Sequence, residues 1–141
     1  MMCYHYLMNY KISNQWVAGF FDGEGSVSVI RRQRGNFIEH FLSVQLGQQD
    51  RTPLDLIHAK FGGSTCDSMT KSGCHRWRIH GKEAELFLKA IRKYSIVKRR
   101  QIDLALKIRK LIGKPGHRLN PQIWAKREKL WIELQKVKGK L

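Results

Sequence analysis

The sequence predicts an α+β fold in which an antiparallel sheet carries helices on one face. Two observations lead there. Period-two alternation of apolar residues occurs in two separate pairs of segments, each pair joined by a short turn, and a helical pattern precedes each pair. Hairpins preceded by helices give a doubled αββ order, which suits an antiparallel sheet with one covered face. A chain of 141 residues can bury one real core and is too short for two independent ones. It therefore reads as one domain over 1–141, with an N-terminal extension at 1–12, a core at 13–112, and a basic loop and C-terminal helix at 113–141.

Ser13 is a suitable N-cap for a helix through Trp16, Val17, Phe20 and Phe21, which the Gly23 to Gly25 region stops. From Ser26 the period becomes two, with Val27 and Val29 on one side and Ser26, Ser28, Ile30 and Arg32 on the other. "RRQRGN" supplies a turn, and a second run sets Leu42, Val44 and Leu46 against Phe41, Ser43 and Gln45. Pro53 opens a helix carrying Leu54, Ile57 and Phe61, closed by "FGG". Segments 63–69 and 74–80 then flank "TKSG" as a second hairpin, with Trp77 and Ile79 facing one way and Arg76, Arg78 and His80 the other. A helix over 83–93 uses Leu86, Phe87 and Ala90. Helices from about Lys98 to Ile112 and from Pro121 to Val137 complete the chain across the loop "GKPGHRLN", with Trp124, Leu130, Trp131 and Leu134 at core spacing.

Charge narrows the partners. Lys and Arg number 27 against 11 Asp and Glu, a formal net charge of +16, which favours a polyanion. The excess is concentrated: residues 1–88 carry 10 basic and 8 acidic side chains, and residues 89–141 carry 17 and 3. The basic tail suits phosphate contacts that add affinity without sequence information. No stretch approaches the roughly 18 uninterrupted apolar residues of a membrane span, so a soluble intracellular protein with no membrane partner is expected. Cys3, Cys66 and Cys74 are odd in number with no close pair, and are expected as free thiols. A zinc site from Cys66, Cys74, His75 and His80 matches no standard ligand spacing. Walker, Rossmann and nucleophile-elbow motifs are missing, which argues against a small-molecule substrate.

The stretch "WVAGFFDGEG" at 16–25 poses the functional question, because it places Asp22 and Glu24 among three glycines at the end of an apolar helix. Gly19 and Gly23, four apart, form a strip widened by Ala18 that lets two backbones approach closely. Spacing alone leaves open whether the approach is within one chain or between two.

"VAGFFDGEG" resembles the signature of the LAGLIDADG homing endonucleases. It matches at Ala18, Gly19, Asp22 and Gly25, has conservative replacements at Val17, Phe20, Phe21 and Glu24, and departs at Gly23 toward a smaller residue. The family's αββαββα order follows across roughly 13–112. The resemblance implies a saddle-like sheet on the DNA side with helices behind it. It implies two motif helices packed through Ala18, Gly19 and Gly23, delivering one acid each to a pair of scissile phosphates. Glu24 stands at the metal-binding position, where the family usually has Asp. With the backbone carbonyl of Gly23 it would hold Mg²⁺ or another divalent cation such as Mn²⁺. Asp22 is expected to bond backbone near the helix end, direct ligation being the lesser alternative. One copy of the motif implies a homodimer acting on nearly palindromic double-stranded DNA in intron homing. Gln48 and Lys98 match supporting catalytic positions, and Arg51 is a possible neighbour.

The uncovered sheet face would then read bases, through Ser26, Ser28, Ile30, Arg32, Arg34, Glu39, Phe41, Ser43, Gln45, Cys66, Ser68, Arg76 and Arg78. Arg and Gln contact guanine and adenine bidentately, Ser adapts, and Ile30 and Phe41 suit thymine methyls. A nine-residue strand spans about 30 Å, roughly nine base pairs of half-site. An intron RNA maturase and a non-cleaving DNA-binding regulator are the alternatives on the same fold.

Overall fold

A computed structural model describes residues 11–67, 73–113 and 120–141. Cys3, Ser68, most of the "TKSG" turn and most of the 113–120 loop lie outside the described residues. Within them the order is α1 (Asn14–Glu24), β1 (Gly25–Arg34), β2 (Phe37–Gln48), α2 (Arg51–Phe61), β3 (Ser64–Asp67), β4 (His75–His80), α3 (Gly81–Ile91), a 3₁₀ turn (Arg92–Tyr94), α4 (Arg99–Leu111) and α5 (Pro121–Val137). The four strands form one antiparallel sheet in the order β1-β2-β4-β3. The expected α+β fold is thus the observed one.

The caps explain where helices begin. Ser13 accepts from Trp16 N–H, Asp50 from Thr52 N–H and Asn120 from Gln122 N–H, each occupying a donor that the first helical turn cannot use. Pairing then sets one face of the sheet against the helices. Val27 faces Val44 and Val29 faces Leu42 across β1 and β2, while Trp77 and Ile79 extend the same layer onto β4. All are buried against Phe21, Leu54, Ile57 and Phe87. Phe87 joins the layers, with ring centroids 5.4 Å from Phe21, 4.8 Å from Phe61 and 5.1 Å from Trp77.

Two expectations are corrected. "RRQRGN" is mostly strand: Arg34 pairs with Phe37, leaving only Gly35 and Asn36 as the turn, with Gly35 at φ 57°. Two-residue hairpin turns need that left-handed geometry, and the exposed arginines find cross-strand partners instead of forming a loop. On α3 the inward face is Ala84, Phe87, Leu88 and Ile91, while Leu86 is 57% exposed. Positions three and four apart from Ala84 share its side, and Leu86, two away, does not.

α5 packs beside α4 and closes the open edge of β1. Trp131 Nε1 donates to Val29 O at 2.8 Å, Lys138 Nζ donates to Val27 O, and Glu128 Oε1 takes Arg31 Nε at 2.9 Å. These contacts blunt an edge that would otherwise offer free strand carbonyls. Behind them His40, 1% exposed, receives Arg127 Nη2 on Nδ1 at 3.0 Å, which puts its ring proton on Nε2, 2.8 Å from Glu128 Oε1. Burial and the Arg127 charge hold its pKa below the usual histidine value. Among the described residues no helix is long and apolar enough to cross a membrane.

Candidate functional site

The site grows from the end of α1. Val17, Ala18 and Phe21 point into the core, so the helix presents Gly19, Gly23 and Glu24 outward. A Cβ added at Gly19 or Gly23 would meet nothing within 4 Å, so neither glycine is required by packing among the described residues. Ala18 is a correction: fully buried in its own core, it does not widen the strip. Flanking the strip are Trp16, 42% exposed and stacked on Phe20 at 5.2 Å, and Ile96 and Val97 at 86% and 71%. Gly25 differs from the other two, since a Cβ there would stand 2.1 Å from the buried Phe21 ring. This lets the chain turn from helix into β1 directly beneath the acids.

Asp22 and Glu24 have opposite surroundings. Asp22 Oδ1 accepts from Ser95 Oγ and, at 3.2 Å, from Lys98 N–H; Oδ2 accepts from Ile96 N–H at 2.7 Å and Val97 N–H at 3.2 Å. Burial pushes its pKa up, but these four bonds outweigh it and hold the carboxyl below the usual range. Four donors fill the lone pairs of a carboxylate, so Asp22 has no oxygen to spare for a metal. Glu24 is exposed, with no hydrogen bond or ion pair to a described residue.

Lys98 is brought to the same place. Its Nζ donates to the main-chain oxygen of Asp22 at 2.7 Å, which fixes the ammonium at the C-terminal end of α1. Gln48 ends β2 opposite His75, its Oε1 accepting from Gln49 N–H at 2.9 Å. Arg51 opens α2, its guanidinium 3.2 Å from Asp55 and 3.3 Å from Asp67, with His75 Nδ1 2.6 Å from the same Asp67 oxygen.

The donor set at the end of α1 fits a hard cation. No basic residue occupies the last turn, and helix C-terminal carbonyls carry partial negative charge. Glu24 adds an unpartnered carboxylate beside the Gly23 carbonyl. Among the described residues no cluster of three or more His, Cys, Asp or Glu forms. Mg²⁺ commonly takes one or two carboxylates and completes its shell with water and phosphate oxygens. Cys66 and Cys74 are free thiols and join no such cluster.

The face away from the helices is continuous. Register places Ser26, Gln45, Arg78 and Ser64 in one row, and Ser28, Ser43 and His80 in the next. Ile30 pairs with Phe41 and Arg32 with Glu39, and Cys66 lies beside Arg76. Some of these side chains hold one another: Arg32 and Arg34 lie 3.0 and 3.4 Å from Glu39, Arg32 sits over the Phe41 ring at 4.7 Å, and Arg78 reaches Gln45 at 3.4 Å. Ser43 is a correction, only 6% exposed, because it sits on a central strand between Ser28 and His80. His80 belongs to this face, and its parity with Arg76 and Arg78 was the signal for it. Lys138 also reaches it, its Nζ 2.9 Å from Ser28 Oγ. No local sequence pattern marks that lysine.

A family model described as LAGLIDADG endonuclease matches residues 17–111. No curated protein sequence matches the chain. Among solved structures, the archaeal intron-encoded homing endonuclease I-Vdi141I, complexed with DNA, superposes with a TM-score of 0.76 at 21% identity, over 88% of this chain and 82% of that one. The homing endonuclease I-CvuI, in complex with the I-CreI target, gives 0.74 at 21% identity over 88% and 80%. I-GzeII, described as a LAGLIDADG homing endonuclease in complex with its DNA target, gives 0.70 at 20% identity, over 89% of this chain but 44% of its own.

Proposed function

The chain belongs to the LAGLIDADG endonuclease family, and from that premise we propose that it cuts both strands of a long, pseudo-palindromic DNA site as a metal-dependent homodimer serving intron homing. One observation carries the reading: at the end of α1 a bare carboxylate, a fixed lysine and an unfilled glycine strip lie together where the helix joins the first strand of a basic sheet face. The DNA complexes of I-Vdi141I, I-CvuI and I-GzeII, which share the fold, support DNA as the partner.

The glycine strip supports a second copy as its occupant. Gly19 and Gly23 have open space above them, apolar side chains border them, and none of the described residues covers them. Two such helices in contact bring both copies of Glu24 near the twofold axis, one for each strand. Each sheet then lies along one half-site, and phosphate contacts from the basic surface set the register in which Arg76, Arg78 and Gln45 meet base edges.

Glu24 and the Gly23 carbonyl would hold a divalent cation such as Mg²⁺, which when bound supplies charge stabilisation at the leaving oxygen and a more acidic water. Around it the chain's own groups have separate tasks. Asp22 ties residues 95–98 to α1 and so positions Lys98. With one donor on the Asp22 carbonyl, the Lys98 ammonium keeps two N–H groups to offset charge growing on a phosphate. Gln48, two residues beyond the Leu46 that pairs with Gly25, would orient water or phosphate through its side-chain amide.

The test is Glu24→Gln against wild type on a library of palindromic duplexes with Mg²⁺, reading cut ends by sequencing and affinity by titration. The variant is expected to bind the selected duplex within a few-fold of wild type and to leave it uncut. Cutting by the variant would remove Glu24 from its role. A wild-type protein that binds DNA or intron RNA tightly and cuts no duplex would turn the reading to a regulator or a maturase.

A further inference from the structure

The uncovered sheet face is not uniform along β1 and β2. Ser28 and Ser43 form one cross-strand pair and Arg32 and Glu39 another, and between them Ile30 stands opposite Phe41. Ile30 is 38% exposed, and its neighbours in sequence and register, Val29 and Leu42, are the ones that face the core. Core packing therefore does not call for an apolar pair here. Arg32 is held over this pair from two directions. Its Nε donates to Glu39 Oε2 at 3.0 Å, and its Cζ lies 4.7 Å over the Phe41 ring. Its two Nη groups make no hydrogen bond to a described residue, and the side chain is half-exposed. A guanidinium fixed through Nε and covered on one face presents its Nη donors end-on, the fork that fits the O6 and N7 acceptors of guanine. In the major groove a pyrimidine on the 5′ side of that guanine carries its C5 position next to those acceptors. Thymine and 5-methylcytosine put a methyl there, while cytosine and uracil have only hydrogen. Such a methyl would lie against the guanidinium and the Ile30–Phe41 surface, and apolar carbon would leave water on both sides.

We propose that Ile30, Arg32 and Phe41 form a reader for a 5-methylpyrimidine followed on the same strand by guanine, with Glu39 as the positioning residue for the guanidinium. The inference rests on the nuclease reading above and adds a response to the chemical state of the DNA. A cytosine at this step replaces thymine when it carries the 5-methyl group and is discriminated against without it. Ile30 follows Gly25 by five residues, about 17 Å along the strand. The step therefore lies roughly five base pairs outward from the corner where α1 meets β1.

The experiment is titration of the protein, without divalent cation, with the duplex selected from the palindromic library and with derivatives altered at each pyrimidine–guanine step in turn. Exchanging thymine for uracil, or 5-methylcytosine for cytosine, removes the methyl and keeps the base pairing. Wild type is expected to show one step in each half-site at which either exchange weakens binding about fourfold, the worth of one buried methyl. Phe41→Thr, which keeps a strand-forming residue, should bind the methylated and unmethylated forms alike. Arg32→Lys, a point charge without the fork, should lose the preference for guanine at the same step. Glu39→Gln should keep the step and reduce both preferences together; a loss of preference at a different base pair would make Glu39 a direct reader and overturn its positioning role. Methyl discrimination that survives in Phe41→Thr, or the absence of any methyl-sensitive step in wild type that binds the duplex, would overturn the reader alone. A wild-type protein that binds no duplex would overturn the nuclease reading with it.

Discussion

At the end of α1, Asp22 gathers four donors, from Ser95 Oγ and from the N–H groups of Ile96, Val97 and Lys98. At the end of α5, the ammonium of Lys138 finds two neutral oxygens and, among the described residues, no counter-charge. The two ends approach the same corner of the sheet, and one ion is saturated by its own chain while the other is left with bonding capacity. The glycines divide in the same way. Gly25 is filled above by the Phe21 ring, while Gly19 and Gly23 face open space. Groups satisfied by the chain build the scaffold, and groups at this corner keep bonding capacity and open space that the described residues do not use.

The largest expected effect breaks the open side of that comparison. Gly19→Leu should leave the single subunit folded, even steadier by about 1 kcal/mol because glycine is the poorer helix former, and should abolish dimerisation. Sedimentation should show monomer at concentrations where wild type is a dimer. A dimer of this variant would mean the strip faces solvent rather than a second copy.

The filled side should respond through stability. Gly25→Ala puts a Cβ 2.1 Å from a buried ring and should cost about 3 kcal/mol in urea unfolding, at the upper end for overpacking. An unchanged midpoint would contradict the packing of Phe21 beneath the site.

Asp22→Asn should cost about 2 kcal/mol at neutral pH, since the amide replaces an accepting oxygen with a donor facing other donors. The pH dependence follows from its depressed folded pKa. Stability from the carboxylate is fully present above the ordinary Asp value and is lost as pH falls through the lower folded one. The gap between wild type and Asp22→Asn should therefore narrow on acidification below about pH 4. A gap that widens would mean the latch is not ionic.

The smallest effect concerns the clamp of α5. His40 is neutral between Arg127 and Glu128, with Arg31 also acting on it, and its folded pKa is depressed. Its contribution is present above the ordinary histidine value and lost as pH falls below it. His40→Gln should cost about 1 kcal/mol at pH 7, and less at pH 5, by urea midpoints. A constant difference would assign the clamp to shape alone.

These contrasts also mark what could be read from the chain. The motif is local: Ser13, the apolar face of Val17 and Phe21, and the terminal glycines lie within one helix, so α1 and its exit were legible. Strand parity placed Arg76, Arg78 and Gln45 on one face for the same reason. The outward exposure of the glycine strip was not legible, because spacing does not say which side of a helix meets the core. Ala18 was misplaced for that reason, and Leu86 likewise. Ser43 was lost to lateral neighbours that only the strand order β1-β2-β4-β3 reveals. Lys138 read as one tail base among several, since its partners Val27 and Ser28 lie more than a hundred residues away. Long-range polar contacts leave no period in a sequence.

The central claim is that each of two subunits brings one Glu24 to one DNA strand, and a mixed dimer tests it most directly. Wild-type and Glu24→Gln subunits carrying different tags can be coexpressed, the heterodimer isolated by sequential affinity steps, and its products on the selected duplex separated on denaturing and native gels. The expected product is a break confined to one strand, with the duplex intact on the native gel. Double-strand cleavage at the wild-type rate by the heterodimer would contradict it.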